Sequence, residues 1–461
     1  MDGTGTSEAL WRARAEKALK GEPFESLVSR TLDGIEIRPL YPRGPGDALS
    51  VRQRPDRPWA IVQRVDHPDP AEANELALAD LVGGANGLAL VFEGAPSAYG
   101  FGIAPGDLGR TLEGVELDLV VLRLDPARDR EDEAIAAVSD RISAARLVPQ
   151  TLDVDFGLDP IGLGLGSDGV RDDWAERTLG RIRALRGAGF ASPLLRADGR
   201  VHHDAGAGEV QELAAVLSTA TAYLRCLEGE GIGLDEARRL ISFELAVDAD
   251  QFLGMSKLRA LRRLWARVET ACGLEPVPAR IAAQTSFRMV SKLDPAVNWL
   301  RATCALFAAG TGGADQVTVL PHTIALGLPD AFSRRMARNE QIVLIEESHL
   351  SKVSDPAAGS GAIEAMTGAL ARSAWDLFRR IEGEGGLIAM GRTGRWQALV
   401  EETAKERARR IETGEAPLVG TSIFRSEGQG GAETLPVPPK RDGERLLPVR
   451  RDAARFEEAG R

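Results

Sequence analysis

VELDLVVLRL (115–124), DREDEAIAAVSDRISAA (129–145) and LDVDFGLDPIG (152–162) follow one another almost without spacer. The first is apolar and β-branched, as a buried strand requires. The second is an acid-rich helix pattern, and the third returns to a strand. Working outward, AEANELALADLVGG (71–84) is a helix with a Gly-Gly stop that leads straight into the strand GLALVFEG (87–94). Downstream, SPLLRADG (192–199) precedes the helix 209–231, and ARRLISFELAVDADQF runs into the helix 254–271. RIAAQTS (280–286) and DQVTVLP (315–321) supply the last two strands, separated by a helix around NWLRATCALFAAG. Strand and helix alternate about eight times over roughly 270 residues. That predicts an α/β chain closed as a (β/α)8 TIM-type barrel rather than an open sheet.

After Pro329 the pattern changes. Residues 331–415 read as nearly continuous helix. The tail from Ser426 to Leu447 is rich in Gly, Pro and charge, a linker or a strap over a partner surface. The expected division is an N-terminal extension 1–30, a barrel 31–330, a helical linker 331–425 and an extended tail 426–461.

Composition is globular, with 43% hydrophobic and 27% charged residues. The net charge of -11, without a local basic patch, argues against a nucleic-acid partner. Cys226, Cys272 and Cys304 are too scattered for a disulfide framework or a structural zinc site. No signal peptide and no membrane-length apolar run is visible, so the expectation is a soluble, cytoplasmic chain with no membrane partner.

Residue chemistry alone yields no catalytic constellation. His202 and His203, beside Asp204, form the one local histidine cluster. Adjacent residues of a strand point to opposite faces, so the pair cannot jointly hold a metal there, and a loop or partly exposed pair is expected. GLGLGSDG (162–169) lacks the strand–GxGxxG–helix order of a phosphate loop, and is expected to be a flexible βα loop. DPAAGSG (355–361) is expected to be a turn. In KLRALRRLW (257–265), Phe252, Met255, Leu258, Leu261, Leu264 and Trp265 form the inward stripe. Arg259 and Arg263 fall on the opposite, solvated or subunit-facing side.

Several motifs in register resemble the methylmalonyl-CoA mutase family. They are LDGIEIRPLY (32–41), RPWAIVQRV with AEAN, FLGMSKLRALRRLWARV, QTSFRMVSKLDPAVNWLRAT, GLPDAFSRRMARNEQIVLIEESHLSKVSDPAAGSGAIE and APLVGTSIF, together covering most of 31–425. The resemblance implies a (β/α)8 barrel that takes acyl-CoA through its axis, a helical linker and a cobalamin-binding domain. It also implies an Asp-x-His-x-x-Gly motif whose His ligates cobalt, and no such motif occurs here.

Departures extend into the barrel. Where the family has Gln-Tyr after Arg-Pro-Trp, with the tyrosine near the radical centre, this sequence has Gln63-Arg64. Counting back from Ala205-Gly206-Ala207 puts Arg200 and Val201 at the family's Tyr-His positions; a one-residue gap would bring His202 to the His position instead. Thr-Ser-Gly-Trp has become Thr285-Ser286-Phe287-Arg288, and Gln-Ser-Leu-His-Thr-Asn has become Asp315-Gln316-Val317-Thr318-Val319-Leu320. These changes are expected on the C-terminal face of the strands, where barrel catalysis resides. Buried arginines there should find carboxylates or reach solvent, in a pocket that no longer takes CoA.

The resemblance with these departures implies a non-catalytic small subunit with no catalytic, cofactor or metal residues of its own. Adenosylcobalamin is then expected on a large catalytic partner in a heterodimer. A mutase-associated GTPase chaperone would act through that partner, and Trp11 and Phe24 would anchor the extension to it. The alternative is the acyl-CoA-binding chain of a split, isobutyryl-CoA-type mutase with cobalamin on a separate small protein.

Overall fold

The computed structural model describes residues 3–44, 57–191, 193–425, 432–440, 443 and 445–459. Residues 426–431 of the Gly- and Pro-rich tail therefore lie outside the described residues. Eight parallel strands form the centre: β1 (Ala60–Val65), β2 (Gly87–Val91), β3 (Val121–Asp125), β4 (Val154–Asp155), β5 (Leu195–Asp198), β6 (Ile241–Val247), β7 (Ile281–Thr285) and β8 (Gln316–Thr318). In space they run 4-3-2-1-8-7-6-5. A parallel bridge between Leu158 and Leu195 joins the two ends and closes the barrel. The Leu158 N–H donates to the Leu194 carbonyl at 3.2 Å, and the Arg196 N–H to the Leu158 carbonyl at 3.0 Å.

The helices that matter here are α1 (Gly3–Ala18), α2 (Pro70–Val82), α3 (Glu131–Ala144), α4 (Trp174–Gly187), the single turn α5 (Arg200–Asp204), α6 (Glu209–Gly229), α7 (Gln251–Ala271), α8 (Pro295–Thr311), α9 (Ala331–Ile342), α10 (Gly361–Gly383) and α11 (Arg395–Glu412). Local chemistry starts them. Asp69 accepts the Ala71 and Glu72 N–H groups ahead of Pro70, and Asp294 and Asp330 cap α8 and α9 in the same way.

Period-2 alternation divides each strand into two faces. Outward residues such as Leu122, Leu124, Phe243 and Leu245 are almost fully buried under the helices. Phe243 meets Trp265 of α7 edge-on, with ring centres 5.0 Å apart. This shell is the apolar core; the inward faces are a different matter, taken up below.

Five expectations need correcting. GLGLGSDG is not a flexible loop, since Pro160–Gly166 is helical with Ile161 to Gly166 buried, and Phe252 leaves the inward stripe, exposed in the first turn of α7. The strand at 115–124 begins only at Val121, because Val115 and Leu117 bury themselves from a turn closed by the Leu119 N–H on the Glu116 carbonyl at 3.1 Å. The region 331–415 is not one run of helix. A π turn (Val343–Glu347) and the segment 348–360 separate α9 from α10, which packs against α6 and α7. Arg259 is buried rather than solvated, because α10 covers it and the Asp355 and Glu364 carboxylates receive it there. The turn 355–361 thus supplies a counter-charge as well as a bend.

Candidate functional site

Strand register determines which side chains share the barrel interior. Arg64, Ala89, Arg123 and Asp155 stand in one row across β1 to β4. Asp198, Glu244, Ala282 and Gln316 stand in another across β5 to β8. Barrels of this type ordinarily fill these layers with branched apolar side chains. Here the interior holds ions.

Arg123 is fully buried and pairs with Glu244. Arg196 reaches Asp125 at 2.7 Å, Asp155 at 3.2 Å and Glu244 at 3.2 Å. Arg200 reaches Asp198 at 2.6 Å, Asp125 at 2.9 Å and Glu244 at 3.1 Å, and donates to the Gln284 side-chain carbonyl at 3.1 Å. Burial alone would raise the Asp125 carboxyl, but Arg200 and Arg196 outweigh it and hold it well below the usual carboxylate range. The same contest lowers Asp155, chiefly through Arg196. Arg64 pairs with Asp66 at 2.9 Å and donates to the Ser97 carbonyl at 2.8 Å, while the Ser97 hydroxyl donates to Asp125 at 2.7 Å. The three central arginines and their carboxylates therefore neutralise one another across the axis.

Above this layer the mouth is closed. Tyr99 stacks on Phe287 with ring centres 3.9 Å apart, donates to Asp204 at 2.9 Å and accepts from Gln284 at 3.1 Å. The C-terminal segment then crosses the mouth of its own barrel. Its backbone N–H groups donate from Leu446 to Ser167 at 2.7 Å, from Arg450 to Asp204 at 2.8 Å and from Asp452 to Arg288 at 2.9 Å. Leu447 is 3% exposed. Beneath it, among Asp125, Arg196, Arg200, Val201 and Asp204, remains a cavity of about 30 Å³. That is room for one or two waters, about a tenth of the smallest ordinary small-molecule site, ~300 Å³. The residues at this mouth do not fit a corrin.

His202 and His203 are buried on α5, not on a loop. Trp396 Nε1 donates to His202 Nδ1 at 3.1 Å, and burial depresses the imidazole to about 4, so it stays neutral. His203 Nε2 lies 2.7 Å from the Ser286 hydroxyl, and its Nδ1 lies 3.3 Å from Glu212, which is itself bonded to Lys257 at 2.6 Å. All four groups are shut off from solvent. Arg288 donates to the His203 and Ala207 carbonyls at 2.8 and 2.9 Å, which braces α5.

The family model described as methylmalonyl-CoA mutase matches residues 194–457. The methylmalonyl-CoA mutase small subunit of Streptomyces virginiae is 38% identical, over 97% of this chain and 74% of that protein. The small subunit of Propionibacterium freudenreichii subsp. shermanii is 34% identical, over 98% and 74%. That of Porphyromonas gingivalis is 30% identical, over 91% and 69%.

The chain belongs to the methylmalonyl-CoA mutase family.

Within that family barrel, the positions singled out in the sequence do not all converge. Arg200 and Val201 lie at the C-terminal mouth, with Val201 lining the small cavity and Arg200 among the axial ions. Arg64 sits inside on β1, its guanidinium 5.4 Å from the Tyr99 ring. Asp315 lies at the opposite end, before β8, where it accepts the Ile281 N–H at 2.9 Å and pairs with Arg262 at 3.1 Å. The altered segment 315–320 thus spans the barrel from end to end rather than belonging wholly to the C-terminal face. Trp11 and Phe24 are half-buried and meet edge-on, 6.0 Å apart. Sequence reading missed Arg123, Arg196, Asp125 and Glu244, and the strap residues Leu447 and Val449. The signal was there: a charge in both inward slots of LRLD, a lone Glu in the inward face of SFELAV, and an apolar LLPV in a charged tail. Among the described residues, no group of three His, Cys, Asp or Glu side chains could hold a metal ion.

Proposed function

We propose that this chain is the non-catalytic small subunit of an adenosylcobalamin-dependent methylmalonyl-CoA mutase. The interconversion of methylmalonyl-CoA and succinyl-CoA then runs in a large partner subunit, which carries the cobalamin. The small-subunit relatives support the partnership. The observation that carries the loss of chemistry is the filled axis. A thioester threaded there must separate Arg123, Arg196 and Arg200 from Glu244 and Asp125. Stripping one partner from a buried ion pair costs about 3–5 kcal/mol, and the single carboxylate of the substrate cannot replace both Glu244 and Asp125 for three arginines.

A radical rearrangement also needs a dry, oriented space above the substrate, and the strap and Tyr99 occupy it here. What the fold retains is a rigid outer surface. The extension 1–30 would add to it, with Trp11 and Phe24 as the apolar anchors that would reach the partner.

Co-expression of this chain, tagged, with the large mutase subunit tests the proposal. The expected result is a stable heteromer that carries mutase activity, with the corrin retained on the large subunit when the two are separated. Failure of the two chains to associate would overturn it. So would dependence of activity on a separate small cobalamin protein, which is the organisation of a split mutase.

A further inference from the structure

A hollow of about 410 Å³ lies outside the barrel, between α11, the Phe287–Arg288 pair and the strap. Six arginine and lysine side chains line it against two carboxylates, Glu401 and Asp452. Much of that charge is matched. Arg288 pairs with Asp248 at 3.3 Å, Arg451 with Glu457 at 2.5 Å and Arg455 with Glu412, while Arg450 and Lys405 share Glu401.

Arg407 differs. Its Nε and Nη2 atoms are closed off from solvent with no hydrogen-bond acceptor among the described residues, although Asp452, Asp248 and Asp33 lie close enough to feel its charge. The Nε of Arg450 is in the same condition. A guanidinium left without acceptors costs free energy that a ligand bearing acceptors recovers once the side chain turns its donors into the hollow. The rest of the lining includes apolar surface from Ala404, Ala408 and Val449.

We infer that this hollow binds a phosphorylated small molecule, whose phosphoryl oxygens accept from Arg407 and Arg450 while its apolar body rests on Ala404, Ala408 and Val449. The planar guanidinium fork matches phosphate oxygens, and the volume falls within the ~300–1,000 Å³ of small-molecule sites. The ligand would bridge α11 to the strap, since Arg450 also holds the Asp204 carbonyl through its backbone N–H at 2.8 Å. The site lies apart from the barrel axis, so it stands whether or not the axis is inactive.

Isothermal calorimetry on the full chain at low salt tests this with two probes, inorganic pyrophosphate and a hexaglutamate peptide. Pyrophosphate is expected to saturate one site. Its Kd should rise about tenfold in Arg407→Gln and in Arg450→Gln, and should rise with added salt. The Arg450 side chain is 39% exposed, so Arg450→Gln decides the matter if Arg407→Gln fails to fold. No saturable heat with pyrophosphate would overturn the inference, as would an unchanged Kd in the folded variants. Binding of hexaglutamate without pyrophosphate would overturn it too, and would make the hollow a surface for an acidic protein segment.

Discussion

The two ends of this barrel differ in kind. At the C-terminal end, where related folds place their chemistry, ions and a strap leave a cavity of about 30 Å³. At the N-terminal end a hollow of about 560 Å³ stays open, ringed by Asp118, Asp153, Asp315, Arg57 and Arg280. Strand count and closure are common to both ends, so geometry alone does not seal the axis. Side chains seal it: inward charges that satisfy one another, and a stretch of chain laid over them. A barrel can thus keep its packing shell while its interior is filled by paired charges rather than by branched apolar side chains.

The contrast can be tested from the most damaging change to the mildest. Glu244→Leu removes the carboxylate shared by Arg123, Arg196 and Arg200. Unfolding in urea should show a loss of about 3–5 kcal/mol, the cost of leaving buried charges unpaired. A change below 1 kcal/mol would mean that the interior ions do not hold the plug together.

Acid should loosen the C-terminal end next. His202 has its folded pKa depressed to about 4 from 6.5, by burial. Its contribution is therefore fully present above 6.5 and is lost as pH falls toward 4, because the unfolded chain takes up a proton that the folded one refuses. From pH 7 to pH 5 the loss should be about 2 kcal/mol. His202→Gln, measured over the same range, should lose less than wild type by about that amount.

Leu447→Ala removes the strap's buried side chain and should cost about 2 kcal/mol, with faster amide exchange in 446–452 and none in the N-terminal strand ends. At the open end, Leu119 is 76% exposed on the rim of the hollow. Leu119→Ser should change stability by less than about 0.5 kcal/mol. A larger loss there than at Leu447 would reverse the comparison.

The shell of this barrel was legible in its sequence, because strand and helix periods are local and apolar runs such as GLALV read the same in isolation as in the fold. That Arg64 and Arg200 would find carboxylates was legible too, but which charges would meet was not. Arg123 and Glu244 are 121 residues apart and meet only because closure brings β3 and β6 to one axis. His202 and His203 were misjudged for the same reason, since their burial depends on Trp396 and Glu212 arriving from distant helices. The strap was half visible: its apolar residues could be seen, but its own barrel, rather than a partner, turned out to be what they cover.

The most direct measurement is succinyl-CoA formation by the isolated, folded chain supplied with methylmalonyl-CoA and adenosylcobalamin. An axis closed by Arg123, Arg196, Arg200 and their carboxylates predicts no product above the cofactor-only background. Sustained turnover from this chain alone would contradict it.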